Sequence, residues 1–442
     1  MNTPPPAHAS SLPRSTDVLV IGAGPAGSAA ALAAARAGYD TTIVDMAEFL
    51  PAGRDKTCGD GLTPRAVHAL EAMGAGHLLT GAPHIKGLKL HGFGGSVTAP
   101  WPTSGAFPAR GSAIARVDFD VAVLRLAIAA GATFVGGFKC DATAATHPNS
   151  ITEIHGSFTG GERASVRARW VIVAEGVRSG VAKKLGVTWH RGLVHGVAAR
   201  SYVTTPHSNE PWIHSHLELR DGEGTAQPGY GWVFPLGGSA ANLGCGALVT
   251  TARPAKVNTK KLLRQYAEQV RGEWGIEGEP QRVTSALLPM GGAVSRVAGR
   301  NWAVIGDAAA LVNPLNGEGI DYGLESGRMV VELLADAGRN PEGLRYMWPA
   351  LLREEYGSAF SLARRLAMVL TMPGLMSALG PVGMRGPLAQ PVMGAAARLM
   401  GNLVTSEDKD LAGRLWLAAG RLSRGVDRLV AADARPLFGV DR

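Results

Sequence analysis

The 442-residue chain is long enough for two or three domains. Its net charge of +8 favours acidic partners such as nucleotide phosphates or an anionic membrane surface. Aromatic residues make up only 6% of the chain, and there is neither zinc-finger spacing nor a long Lys/Arg block, so nucleic acid is not expected as a partner. The cysteines, Cys58, Cys140 and Cys245, are widely separated and form no disulfide framework, which fits a reducing compartment.

A nucleotide-binding unit follows a short leader. Residues 1–14 lack the apolar core of a signal peptide and are predicted to be disordered. An apolar strand then enters Gly22-x-Gly24-x-x-Gly27, an alanine-rich helix follows, and a second strand ends at Asp45. Such glycines allow a tight turn, a close approach to a pyrophosphate and close helix–strand contact, and the acid accepts ribose hydroxyls. The unit predicts a dinucleotide site at a helix N-terminus.

The segment "GRDKTCGDGLTP" follows that second strand. Cys58 and Asp60 fall in its glycine-containing loop, and Thr63 and Pro64 have the residue types of a helix N-cap and first turn. We therefore expect a loop that leaves the adenosine end of the dinucleotide and ends at the start of a helix.

Residues 191–284 are rich in predicted strands. Tyr230, Trp232 and Phe234 alternate, so one strand face carries three aromatic rings, and Pro235 follows. An aromatic wall suits an apolar, unsaturated ligand, and an ordinary aromatic core is the alternative interpretation.

Two histidines share one face of another predicted strand. His214 and His216 have no third ligand or carboxylate near them in the sequence, so no metal site is predicted there. We expect a polar pair on a strand face instead.

The C-terminal third is apolar and basic. Residues 357–406 contain no Asp or Glu but several arginines. Residues 366–384 approach the length of a membrane span, but Pro and Gly interrupt them. Short apolar helices lying in the membrane interface, with arginines toward anionic headgroups, are predicted. A helical subdomain packed on the cofactor domain is the alternative.

A second glycine-rich segment extends the cofactor prediction. The strand ending at Gly306-Asp307, with the loop and helix that follow, resembles the second FAD fingerprint of flavoproteins related to p-hydroxybenzoate hydroxylase. That resemblance implies that Asp307 faces the ribityl–pyrophosphate part of FAD and that loop 314–319 faces the flavin ring. Glu175 stands where the superfamily has an Asp before Gly, so no site for a pyridine nucleotide is predicted.

Arg116 and Asp120 resemble the Arg-x-x-x-Asp helix of the same superfamily. In that group the arginine reaches back to the cofactor. The other interpretation is an amphipathic helix with both charges in solvent.

Three motifs together resemble the geranylgeranyl reductase family, flavoproteins that hydrogenate isoprenoid double bonds. They are Tyr-x-Trp-x-Phe-Pro at residues 230–235, Lys-x-Cys-Gly at residues 56–59 and the segment "GDAA…NPLNGEGI". The segment "DKTCGDGLTPRAV" is most similar to the menaquinone reductase branch, which saturates one isoprene unit of the menaquinone tail. A geranylgeranyl-lipid reductase, a flavin monooxygenase or halogenase, an isoprenoid cyclase and a flavin electron carrier are the alternatives. The electron donor is not identified.

The resemblance implies an α/β fold with a Rossmann-like FAD-binding domain, an inserted β-sheet substrate domain and a C-terminal helical region. The expected ranges are 15–80, 105–186 and 285–345 for the FAD-binding domain, 81–104 and 187–284 for the substrate domain, and 346–442 for the helical region. A peripheral position on the cytoplasmic side of the membrane is expected.

Saturating an isolated alkene needs a hydride at one carbon and a proton at the other. Reduced FAD would supply the hydride, and Cys58, Asp60 and Tyr230 are the candidate acids, with Trp232 beside them. The substrate is expected at Tyr230, Trp232, Phe234 and Pro235. The cofactor is expected at Gly22, Gly24, Ala26, Gly27, Asp45, Cys58, Gly59, Arg116, Gly306, Asp307, Pro314, Gly317, Gly319 and Ile320.

Overall fold

A computed structural model describes residues 11–103, 105–144, 147, 149–254, 258–340, 342–372, 374–387, 389–405, 408, 410–429 and 437–439. The leader that was predicted to be disordered spans residues 1–14. Its residues 1–10 lie outside the described part of the chain. Leu12 is described and is buried against the core.

Runs of strands are separated by single α-helices up to β19, and seven α-helices follow one another after it among the described residues. The strands are β1 (Ser15–Ile21), β2 (Thr41–Val44), β3 (Gly61–Leu62), β4 (His84–Ile85), β5 (Gly87–Gly92), β6 (Gly95–Pro100), β7 (Gly111–Ala113), β8 (Thr133–Val135), β9 (Phe138–Ala144), β10 (Glu153–Phe158), β11 (Arg163–Val173), β12 (Thr188–Trp189), β13 (His195–Thr204), β14 (Trp212–His216), β15 (Gly229–Gly237), β16 (Ala240–Val249), β17 (Glu277–Leu288), β18 (Val294–Ser295) and β19 (Trp302–Val304). The α-helices are α1 (Pro25–Arg36), α2 (Pro64–Ala72), α3 (Arg116–Ala129), α4 (Gly180–Lys184), α5 (Thr259–Trp274), α6 (Ile320–Glu332), α7 (Leu334–Ala337), α8 (Leu344–Glu355), α9 (Gly357–Leu370), α10 (Leu375–Met384), α11 (Ala389–Met400) and α12 (Leu411–Leu429).

The first sheet has a parallel centre. Strands β8, β2, β1, β11 and β19 lie side by side in that order, all parallel. Their Val- and Ile-rich central residues are buried, as expected for a parallel sheet covered on both faces. Strands β10 and β9 continue the sheet in antiparallel pairing from the first half of β11. The α/β class and the Rossmann-like centre predicted from the sequence are confirmed.

The second sheet has the strand order β17-β13-β16-β15-β14-β5-β6, with only β14 and β5 parallel. Side chains alternate between its two faces. One face, with Ala199, Val233 and Leu243, packs against α5. The opposite face, with Trp232 and Phe234, packs against C-terminal helices.

Helices α1 and α6 approach each other at backbone distance. A Cβ added to Gly327 would lie 2.5 Å from the carbonyl oxygen of Ala26, and one added to Gly323 would lie 3.4 Å from the Ala26 Cβ. A Cβ on Gly27 would lie 1.8 Å from the Gly22 carbonyl oxygen. Only glycine fits at Gly27 and Gly327, and the first turns of α1 and α6 therefore lie side by side.

The C-terminal helices α9, α10 and α11 have 14, 10 and 12 residues, and α12 has 19. The segment that approaches membrane-span length in the sequence is divided between the end of α9 and α10. Within the described part of the chain, no helix has both the length and the hydropathy to cross a membrane.

A matched pair of glycine substitutions tests the α1–α6 contact. Gly327→Ala is expected to lower the free energy of unfolding by about 1–3 kcal/mol, because its methyl group meets backbone atoms. In the Gly272→Ala variant of α5, the added methyl group meets no atom within 4 Å. This substitution is expected to raise the free energy of unfolding by about 0.5–1 kcal/mol. Denaturant unfolding measures both values. Two effects of the same sign would contradict the close contact.

Candidate active site

A cavity of about 1230 Å³ runs between the two sheets and the C-terminal helices. Ligand pockets commonly measure about 300–1,000 Å³, so this cavity has room for more than one drug-sized group. Most predicted site residues line it: Gly22, Gly24, Ala26, Asp45, Cys58, Gly59, Arg116, Tyr230, Trp232, Phe234, Gly306, Asp307, Gly317, Gly319 and Ile320. Gly27, Asp60, Pro314 and Pro235 are buried beside it and are not part of its lining.

The first end of the cavity is formed by the turn between β1 and α1. Gly22 has φ +108°, which favours glycine, and its N–H donates to the Val44 carbonyl at 2.7 Å. Gly24 is the N-cap of α1, and a Cβ added there would meet no atom within 4 Å. Asp45 accepts from the Ala23 N–H at 2.8 Å and lines the cavity. An open backbone at a helix N-terminus beside a carboxylate fits the pyrophosphate and ribose of a dinucleotide.

A second helix N-terminus faces the same cavity. The N-cap of α6 is Gly319, and the preceding Gly317 has φ +76°. Asp307 faces this loop, since a Cβ on Gly319 would lie 3.1 Å from its carboxylate oxygen. Burial raises the pKa of Asp307, and the positive charge of Arg116 opposes that shift. Two positive helix ends at one cavity suit a ligand that carries negative charge in two places.

Arg116 forms a buried ion pair. Its Nε and Nη2 atoms donate to the two carboxylate oxygens of Asp120 at 2.6 and 2.7 Å. The Asp120 side chain is fully buried, and Arg116 lines the cavity. The interpretation of two solvated charges was therefore wrong, because the helix presents this pair to the interior.

The loop that carries Cys58 lies against the second sheet. A Cβ on Gly59 would lie 2.4 Å from the Phe234 ring, so only glycine lets the loop come this close. Thr63 caps α2 as predicted, accepting from the Ala66 N–H. Burial raises the pKa of the Cys58 thiol to about 12, so the sulfur stays protonated at neutral pH.

Asp60 is fully buried behind this loop. It accepts from the backbone N–H of Arg116 at 3.2 Å and from the Asn242 amide at 2.9 Å. Burial raises the pKa of its carboxyl, and the hydrogen bond from Asn242 opposes the shift.

Asn242 connects the aromatic strand to the cysteine loop. It accepts from Trp232 Nε1 at 3.0 Å, and its amide donates to the Cys58 carbonyl at 2.8 Å as well as to Asp60. Asn242 was not among the site residues predicted from the sequence. It lies directly opposite Phe234 in the β15–β16 hairpin, and a buried amide in such a strand is the signal that could have revealed it.

Tyr230 joins the same strand to the loop before α6. Its hydroxyl donates to the Asn316 carbonyl, and burial raises its pKa. Because that proton is already held by the protein, Tyr230 is better placed to position the loop than to donate a proton.

Glu318 is a second residue that the sequence analysis did not single out, although it lies within the quoted "NPLNGEGI". It lines the cavity beside Gly317 and Gly319. Burial raises the pKa of its carboxyl to about 8, and the nearby Asp321 and Asp60 add to the shift. Glu318 therefore holds its proton at neutral pH while facing the cavity.

Comparisons with known proteins agree with this site. Residues 15–342 match a family model described as FAD binding domain. Over 414 residues the chain is 50% identical to the menaquinone reductase of Mycobacterium tuberculosis, covering 94% of this chain and 98% of the relative. It is 29% identical to digeranylgeranylglycerophospholipid reductase 1 of Methanopyrus kandleri, covering 80% of this chain and 90% of that protein.

Solved structures share the fold at lower identity. A geranylgeranyl bacteriochlorophyll reductase-like protein from Thermoplasma acidophilum aligns with TM-score 0.68 at 19% identity, covering 94% of this chain and 100% of that one. A flavin-dependent brominase aligns with TM-score 0.70 at 16% identity, covering 94% and 98%. At such identities the likeness concerns the fold alone.

Fold, site and sequence together define an FAD-dependent oxidoreductase. The chain belongs to the geranylgeranyl reductase family, on the branch of the mycobacterial menaquinone reductases. The predictions of family and cofactor are thus confirmed. When bound, FAD supplies redox chemistry at its flavin ring.

The open position at Gly24 gives a test of the cofactor site. Gly24→Val should leave the protein folded, because its backbone is extended and an added Cβ meets no protein atom. It should weaken FAD binding at least about tenfold, since the side chain occupies the place of the pyrophosphate. Fluorescence titration of the apoprotein with FAD measures the affinity, and circular dichroism checks the fold. Unchanged FAD affinity would contradict this assignment.

Proposed function

We propose that the protein saturates one double bond in the isoprenoid side chain of menaquinone. The observation that carries this proposal is the continuity of the cavity, which joins the dinucleotide end to an apolar channel. Relatives named menaquinone reductase at 50% identity support the choice of substrate.

The apolar part of the cavity suits a polyprenyl chain. It begins at the rings of Tyr230, Trp232 and Phe234 and continues between the C-terminal helices. Its further lining is almost wholly hydrocarbon or thioether: Phe93, Leu217, Leu366, Val369, Leu370, Val382, Met384, Val392, Met393, Leu399 and Met400. A long unsaturated tail would gain burial there while one of its double bonds reaches the cofactor end.

The residues at the junction would exclude water and deliver a proton. Cys58 and Glu318 both line the cavity and both hold a proton at neutral pH. Asp60 is a buried acid that accepts a hydrogen bond from the Asn242 amide, and the same amide donates to the Cys58 carbonyl. The aromatic rings offer their faces to positive charge that develops on the alkene carbon. We assign proton donation to Glu318 or Cys58, and the positioning of the cysteine loop to Asp60 and Asn242.

Mass spectrometry of lipid quinones from cells with and without the protein tests this proposal. The expected product is menaquinone that is heavier by one pair of hydrogens. Several added pairs on a C20 chain would indicate a geranylgeranyl-lipid reductase instead. An added oxygen would indicate a monooxygenase, and each of these two results would contradict the proposal.

The roles of the two acids can be separated by pH. If Glu318 donates the proton, the rate of alkene reduction should fall as pH rises through about 8, because the carboxyl loses its proton there. Glu318→Gln should lower the rate about 10²-fold or more and abolish that pH dependence, with FAD binding retained. The control is Glu332→Gln, which changes an exposed glutamate at the last residue of α6, the helix that follows the Glu318 loop. A fully active Glu318→Gln protein would contradict proton donation by Glu318 and would assign the step to Cys58, whose pKa of about 12 predicts no loss of rate near pH 8.

We also propose that the protein acts as a peripheral protein on the cytoplasmic face of the membrane. One exposed face of α12 carries leucines at helical spacing, with Leu411 75%, Leu415 61% and Leu422 72% exposed. Arg414 and Arg421 lie beside them and are also exposed. Apolar side chains flanked by arginines are typical of a helix lying in an anionic membrane interface.

Replacing these leucines tests the membrane proposal. The triple variant Leu411→Gln, Leu415→Gln, Leu422→Gln should lose most of its binding to anionic liposomes in flotation, while reduction of detergent-dissolved substrate remains. Leu287→Gln, which removes an exposed leucine from β17, is the control and should bind normally. Equal flotation of all three proteins, including the unsubstituted one, would contradict the assignment of this face.

A further inference from the structure

A histidine cluster lies on the second sheet, on the face opposite the cavity. Alternation along β5 and β14 directs Leu90 and Ile213 toward the cavity side and His91, His214 and His216 toward α5. No step of the proposed reduction uses these side chains. No metal site was predicted here, because His214 and His216 have no third ligand near them in the sequence. In the fold, His91 and Glu273, which are distant from His216 in the sequence, come close to it.

The cluster contains a buried nitrogen atom without a hydrogen bond. His216 is 8% exposed, and its Nδ1 is hydrogen-bonded to the Tyr266 hydroxyl at 2.6 Å. Its Nε2 is buried, has no hydrogen bond among the described residues, and lies 3.8 Å from a carboxylate oxygen of Glu273. His91 shares a hydrogen bond of 3.0 Å with His214. Leaving a buried imidazole nitrogen unpaired is unfavourable, so its surroundings point to a further ligand.

The side chains around this nitrogen have the chemistry of a metal site. One ligand atom from each of His91, His216 and Glu273 lies within 4.8 Å of the other two. Two imidazoles and a carboxylate are a common ligand set for Zn²⁺ and related divalent ions. Each histidine also has a ring nitrogen held by a second residue, Tyr266 or His214, as metal-binding histidines usually do.

The ligand atoms of His91, His216 and Glu273 must move closer together to coordinate one ion. Metal–nitrogen bonds of 2.0–2.1 Å place tetrahedral ligands about 3.3 Å apart. The His91 and His216 rings are stacked with their centroids 4.6 Å apart, so coordination requires a ring to turn toward the ion, and Glu273 can follow because its side chain is 52% exposed in the last turn of α5.

We propose that His91, His216 and Glu273 bind a divalent transition-metal ion of the Zn²⁺ class, with water completing the coordination. The ion would connect three separate elements, β5, β14 and α5. Its role would be to fasten α5 to the second sheet, on the side away from the reaction.

Calorimetric titration of EDTA-treated, FAD-loaded protein with Zn²⁺ tests this site, with metal content of the gel-filtered protein measured by mass spectrometry. We expect one ion per chain and a rise in melting temperature of about 3 °C or more at saturating Zn²⁺. His91→Ala and Glu273→Gln should each weaken Zn²⁺ binding at least about tenfold. Glu273 is half exposed, so its amide variant should fold normally.

The control is His155→Ala, which removes a histidine that lies near Glu153 on the first sheet. It should bind Zn²⁺ like the unsubstituted protein. Zn²⁺ affinity that is the same in all four proteins, or the absence of a saturable one-to-one site, would overturn the proposal. Either result leaves the proposed reductase function untouched, because the cluster does not line the cavity.

Discussion

The backbone contact between α1 and α6 is the constraint on which the rest of the site depends. Gly327 removes the side chain that would otherwise separate the helices at Ala26, and Gly323 continues the contact toward the first turn of α6. The two N-termini therefore reach the same cavity, one beside the β1 turn and the other beside Asp307. Their positive ends supply favourable potential at two points along an extended anionic ligand. If α1 and α6 lay farther apart, only one of the two helix N-termini could contact the cofactor.

A second connection joins this cofactor end to the aromatic sheet. Asn242 is bonded to Trp232, to the Cys58 carbonyl and to Asp60, and the network is buried. Fully paired networks of this kind hold their members in one arrangement, because any rotation leaves a buried polar group unpaired. The aromatic wall and the cysteine loop consequently form a single junction, where an apolar tail can meet the redox cofactor with little water present.

Local sequence patterns predicted the parts of the site that are contiguous in the chain. The Gly22–Asp45 unit was predicted correctly because its strand, turn and helix form one segment, and Thr63 was recognised as a cap for the same reason. Asn242, Glu318 and His91 were missed because their importance comes from partners that are distant in sequence. The pairing of Arg116 with Asp120 was visible from its spacing, but its burial depends on the whole fold. Sequence periodicity predicts which side chains share a face of one helix or strand. Which of those faces is buried, and against which distant residues, depends on tertiary contacts.

The most direct test of the account is an anaerobic single turnover of the reduced enzyme with menaquinone, followed by mass spectrometry after the quinone ring has been reoxidised in air. The account predicts one pair of hydrogens retained on the isoprenoid tail for each flavin oxidised. Fragmentation should locate the pair in a single isoprene unit. A tail of unchanged mass, with electrons delivered only to the ring, would contradict the account.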